Sequence, residues 1–247
     1  IYYKSEFSSV REVIAAKEKL AQEIASEGTV LFKNLNNTLP INVSSEKVTL
    51  WGLNSINPTL GGMIGSSVAV DSASGQTQWD LVASLTEKGF NLNQDMLALY
   101  NSDEVNGKKG YGRKNGHSLK PSFGKMYENP SQYNIGEAPA SIYTDDVLAS
   151  ADDSVAIVVL SRDSSEAADY NPQMTSANEN DSYERPLALS VNEQAVIELA
   201  KAHSTKVVVM INANNPIEIE ELKNDESIGA ILWVGEPGAN GFLGVAD

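Results

Sequence analysis

Cysteine is missing from all 247 residues. That one absence excludes disulfides, thiolate metal sites and a cysteine nucleophile. It leaves the compartment open, because proteins on either side of a membrane can lack cysteine. Histidine is nearly as scarce: His117 and His203 stand alone. Neither has a second histidine or a carboxylate at ligand spacing, so no metal site is expected. Ser164, Ser165 and Ser190 have no paired histidine, and there is no GxSxG elbow. No apolar run approaches the roughly 20 residues of a membrane-spanning helix. Positive charge is in deficit, with 18 Lys and Arg against 33 Asp and Glu and a net charge of −15. A phosphate backbone would be repelled over most of such a surface, so nucleic acid is not an expected partner. The phosphate-cradle patterns GxxxxGK[ST] and GxGxxG are also lacking, and the LGGMIGSS stretch, Leu60 to Ser67, reads as a glycine-dependent tight turn. No cofactor is implied.

What is present describes an ordinary globular chain, 41% hydrophobic and 21% charged. It is long enough to bury a real core. Residues Val10 to Glu27 carry apolar side chains at helical spacing, closed by Gly28. Thr29 to Phe32 is a short extended run. Val48–Gly52, Val155–Ser161, Val207–Asn212 and Ala230–Val234 are continuously apolar, the pattern of strands covered by helices on both faces. Phe90 to Asn93 adds a short strand after the Gly89 turn. Helical patterns lie between the strands at Asp80 to Lys88, Val191 to His203 and Pro216 to Asn224. Ser190 and Asn192 are candidate N-caps, and Pro216 suits a first helical turn. The alternation predicts an α/β fold: a three-layer αβα sandwich with a mostly parallel, doubly wound sheet of about five or six strands. We expect one domain over residues 1–247, with a helical N-terminal segment at 1–28 and a long insertion at 103–140. The insertion holds Lys108, Lys109, Arg113, Lys114, Lys120 and Lys125 among interleaved aromatics, and loops of that length are functional or poorly ordered. Ile1 in place of a start methionine, and a last residue just after a Gly-rich loop, are expected of a piece of a longer polypeptide.

In an open parallel sheet the loops leaving the carboxyl ends of the strands form the ligand crevice. The four long apolar strands lead into LGGMIGSS, SRDSSEAAD (Ser161 to Asp169), ANNP (Ala213 to Pro216) and GEPGANG (Gly235 to Gly241). All must emerge on one edge. The second of these presents Arg162, Asp163, Glu166 and Asp169 directly after a buried strand. A carboxyl at such a place acts as a general acid when partial burial raises its pKa, and Glu166 is the candidate. The competing reading is a solvated acidic loop, since Glu179, Asp181 and Glu184 lie close by. Trp51, Trp79 and Trp233 read as core or rim packing.

Several segments together resemble glycoside hydrolase family 3, in its α/β-sandwich domain and not its catalytic barrel. They are EIASEGTVLFKNLNNTLPI (Glu23–Ile41), Lys47–Gly52, GGMIGSS (Gly61–Ser67), the strand Val155–Ser161 with SRDSSEAAD, LALSVNEQAVIELA (Leu187–Ala200), KVVVMINANNPIEI (Lys206–Ile219) and AILWVGEPGANGFLGVAD (Ala230–Asp247). They run in family order over nearly the whole chain. The resemblance implies a retaining exo-β-glycosidase, β-glucosidase-like, acting on a β-linked oligosaccharide or glycoside. It implies an Asp nucleophile on a separate (β/α)8 barrel and an acid/base Glu in a motif like SGEGxD. That motif position falls on Glu166, with Asp169 at the following acid. Arg162, Asp169, Gly62, Met63 and Ser66 are the implied substrate-side residues. Ser165 and Ala167 replace two family glycines, Tyr170 stands where an arginine is frequent, and Met63 replaces an aromatic found in some relatives. GxxGF at Gly238 to Phe242 and the KNLNNTLP variant resemble members with permuted domain order. No segment resembles the barrel, so a lone chain is expected to be catalytically silent. The rival is a non-catalytic, flavodoxin-like domain that binds a small ligand or nucleotide, or serves as a scaffold, through the same loops.

Overall fold

The continuously apolar runs form the interior of a six-stranded sheet of order β1-β6-β5-β4-β2-β3. A computed structural model describes residues 5–61, 78–106, 111, 136–162, 181–185 and 187–247. Its strands are β1 (Val30–Asn34), β2 (Lys47–Trp51), β3 (Asn91–Leu92), β4 (Ser154–Ser161), β5 (Ser204–Asn212) and β6 (Ala230–Trp233). The pairs β2–β3, β2–β4, β4–β5 and β5–β6 are parallel. Among the described strands only β1 runs antiparallel, against β6. The sheet is therefore mixed, parallel in its body and closed at one side by an antiparallel edge.

β4 is buried along its whole length. Its side chains alternate between two cores, as strand geometry demands. Ala156, Val158 and Leu160 join Trp51, Val209, Ile211 and Ile231 in one core. That core is covered by α3 (Gln94–Tyr100), α4 (Asp145–Ala151), α5 (Val191–Ala202) and α6 (Glu220–Asn224). Val155, Ile157 and Val159 face the other core, with Leu50, Val208 and Met210. There the cover is α2 (Leu81–Glu87) and α7 (Gly238–Val245), through Leu81, Leu85 and Phe242. Helices on both faces explain why these strands show no polar alternation.

The helix α1 (Val10–Gly28) starts at an N-cap, Ser9, whose side chain accepts from the Glu12 amide. It has no buried residue, and Val10, Leu20 and Ile24 are exposed. α5 starts at Ser190 in a capping box completed by Glu193, which selects Ser190 over Asn192 as the cap. One helical assignment and one loop assignment shift. The Pro216 segment becomes helical only from Glu220, because the Glu218 amide is bonded to the Leu187 carbonyl in an extended connection. The GEPGANG loop turns into α7 at Gly238.

Candidate active site

Because β2, β4, β5 and β6 are mutually parallel through their neighbours, Trp51, Ser161, Asn212 and Trp233 all end on one edge. The chain turns sharply after β2. Gly52 has φ +88, and a Cβ there would meet the Glu137 carboxyl at 3.1 Å and the Val159 carbonyl at 3.2 Å. Glycine is thus required both for the left-handed backbone and for the close approach of Glu137. The next residues form a short 3-10 turn, Leu53–Ser55.

Glu137 is 2% exposed. Its carboxyl accepts from the Leu53 amide at 2.9 and 3.0 Å and from the Ala138 amide at 2.8 Å. Burial is the dominant influence and pushes its pKa up to about 8; the backbone donors pull the other way, while Glu193 and Asp181 reinforce the rise. Asp181, also raised by burial, accepts from the amides of Glu137, Ser182 and Asn192 at 3.0, 2.9 and 3.0 Å. The Asn192 side chain returns a bond to the Glu137 carbonyl at 2.8 Å. Residues far apart in sequence are so fastened to the first turn of α5, whose helix dipole favours acids there. Tyr100 donates or accepts across 2.9 Å to Tyr143 while receiving the Gly52 amide, also at 2.9 Å. Burial raises both phenols well above their usual range.

Arg162, named above on the substrate side, is 3% exposed and turned inward. Its guanidinium makes a two-pronged ion pair with Glu193, one arm at 2.8 Å, and also donates to the Ser161 and Ala188 carbonyls at 2.8 and 3.1 Å. It lies 5.0 Å over the Tyr183 ring. The planar fork of arginine suits such a buried bidentate partner. The position of Arg162 in the fold is therefore the root of the segment after β4. Gly62, Met63, Ser66, Glu166 and Asp169 lie outside the described residues, as does most of the 103–140 insertion.

Trp51 is fully buried against Tyr143, 5.6 Å between ring centroids. Trp233 is half-buried at the rim and donates to the Ala213 carbonyl at 2.6 Å. His203 caps α5 and contacts Asp152 at 2.9 Å. Among the described residues no group of three potential metal ligands occurs, and no helix is long and apolar enough to cross a membrane. Sequence reasoning missed Glu137 altogether. It did not name Glu193 either: the Ser190 to Glu193 spacing was the available signal, and nothing announced its pairing to Arg162.

Residues 29–247 match the glycosyl hydrolase family 3 C-terminal domain. Over 80 residues the chain is 34% identical to a probable beta-glucosidase A of Aspergillus clavatus, an overlap of 32% of this chain and 9% of that protein. The fold superposes on a beta-glucosidase from Paenibacillus barengoltzii with a TM-score of 0.69 and 25% identity, over 99% of this chain and 23% of that one. Beta-glucosidase 3B from Thermotoga neapolitana gives a TM-score of 0.68 at 21% identity, over 95% of this chain and 29% of that one; this likeness is one of fold. The chain spans less than a third of the length of each of these relatives.

Proposed function

This chain belongs to the family defined by the glycosyl hydrolase family 3 C-terminal domain, and on that premise we propose that it supplies the acid/base side of a retaining exo-β-glycosidase, β-glucosidase-like, acting on terminal β-glycosides. The observation that carries the reading is the exit of β4. An interior strand, buried throughout, delivers the chain to the loop-bearing edge and is clamped there by the Arg162–Glu193 pair. Glu166 follows Arg162 by four residues, so at full extension it stays within about 14 Å of that edge. A rigid root beneath a short reach is what a positioned proton donor needs.

On this reading Glu166 protonates the leaving oxygen and then deprotonates the incoming water. The retaining mechanism sets two carboxyls about 5–5.5 Å apart. The second is an Asp on a (β/α)8 barrel elsewhere in the same polypeptide, and the isolated chain is silent without it. Asp169, Gly62, Met63 and Ser66 line the leaving-group side, and Arg162 shapes it from behind by fixing the loop root.

Glu166→Gln in the full polypeptide tests the assignment. Hydrolysis of a glycoside with a poor leaving group should fall by about 10²–10⁴-fold, the usual worth of general acid catalysis. An activated aryl glycoside should suffer far less in its first step, and azide should restore turnover. Wild-type rates on both substrates would sink the role of Glu166.

A further inference from the structure

Asn212 ends β5 and is fully buried. Every hydrogen-bonding position of its side-chain amide is used. Oδ1 accepts from the Thr59 amide at 2.6 Å and from the Ser161 hydroxyl at 2.9 Å. Nδ2 donates to the Thr59 carbonyl at 2.9 Å and to the Gly235 carbonyl at 2.6 Å. Its own carbonyl accepts from the Arg162 amide at 3.2 Å. One residue thus joins the chain after β2, the exit of β4 and the chain after β6, partners that lie 153, 51 and 23 residues away. The Gly238 amide bonded to the Leu60 carbonyl at 2.5 Å continues the same tie between the first and last of these.

We infer that Asn212 is a positioning residue that sets the mutual placement of the loops at the carboxyl edge. Its catalytic consequence rests on the acid/base reading above; its structural effect does not. No other side chain fills the role at this length. Aspartate would turn an oxygen towards the Thr59 and Gly235 carbonyls, and alanine would remove the Asn212 bond from four groups at once. The strand ladder beneath needs none of this, because β5 is already paired on both sides by its backbone. The function of the side-chain amide is therefore at the rim, where the ladder ends at Ser161 and Asn212.

Hydrogen exchange on this chain reads the effect directly. Asn212→Ala and Asn212→Asp should speed exchange of the Thr59, Arg162 and Gly238 amides by about tenfold or more, the equivalent of a lost hydrogen bond or two. Val158 and Val209, in mid-sheet, should keep wild-type protection. A uniform rise across the sheet, or no change at Thr59 and Arg162, would overturn the inference. Should either variant fail to fold, Ser161→Ala removes one of the four bonds and serves the same purpose. Faster exchange at Arg162 with mid-sheet protection intact supports the inference, and wild-type exchange there defeats it. In the full polypeptide, Asn212→Ser should lower kcat on a poor leaving group more than on an activated one, with KM held within about twofold, because a misplaced donor loses transition-state interactions selectively. A loosened rim with unaltered kcat would refute the positioning role while leaving the acid/base assignment to stand or fall on Glu166→Gln.

Discussion

A carboxyl that is buried and surrounded by other acids costs the fold differently at each pH, and Glu137 is such a group. Its ordinary pKa is 4.5 and the folded protein raises it to about 8. Below the unfolded value both states are protonated and the fold loses nothing. As pH rises the unfolded chain releases its proton while the folded chain holds on. The stabilisation present at low pH is then progressively lost until pH passes the folded value of about 8. Asp181, raised by the same burial, acts with the same sign. Glu137→Gln imitates the protonated acid and keeps an oxygen for the Leu53 amide. Urea melts from pH 5 to pH 8 should show wild-type stability falling more steeply than that of the variant. Parallel curves would mean that Glu137 is ionised in the fold throughout. Nothing in the sequence flagged this residue, since its environment is made by contacts to Leu53 and Asp181, 84 and 44 positions away. Arg162 shows the same limit: the sequence places it at the strand exit, and only the packing reveals that Glu193 holds it inward.

Elements with a one-dimensional signature could be read directly. β2, β4, β5 and β6 announce themselves by unbroken apolar runs, and α5 by its periodicity and a capping serine, Ser190. α7 could not, because Gly238, Gly241 and Gly244 within GANGFLGV argue against a helix by propensity. Packing overrides that preference. A Cβ on Gly244 would lie 2.0 Å from the Gln22 carbonyl oxygen and 3.1 Å from the Ser26 amide, and one on Gly241 would lie 3.0 Å from the Ala25 Cβ. The glycines let the backbones of α7 and α1 meet. Since α1 buries no side chain of its own, this close approach is its main attachment. Gly244→Ala should pry the two helices apart, at an overpacking cost of about 1–3 kcal/mol. Trypsin should then cut at the exposed Lys17 and Lys19 faster than in wild type, while β5 amides remain protected. Unchanged cleavage would show that α1 is held by something other than this contact.

For the molecule as a whole, the sheet is the shared wall between two cores: β2, β4, β5 and β6 each send side chains into both. The two cores meet across that sheet, with α3 reaching both through Met96 and Tyr100 on one side and Leu97 on the other, so their coupling runs mainly through the ladder from β2 to β5. The topology that gathers four strand exits on one edge therefore also makes the two cores interdependent. Ile157→Ala empties space in the core covered by α2 and α7, and should cost about 2–5 kcal/mol. Trp51 sits in the opposite core and, in a background with Trp79 and Trp233 replaced by Phe, reports on it by fluorescence. If the sheet is one cooperative unit, Ile157→Ala should lower the urea midpoint by fluorescence and by far-ultraviolet circular dichroism equally, in one transition. Leu160→Ala, on the other face, should do the same. A variant in which the Trp51 signal keeps its wild-type midpoint while helix content is lost early would mean that each layer melts alone. The carboxyl edge would then owe its geometry to one core and the Asn212 ties, not to the sheet as a unit.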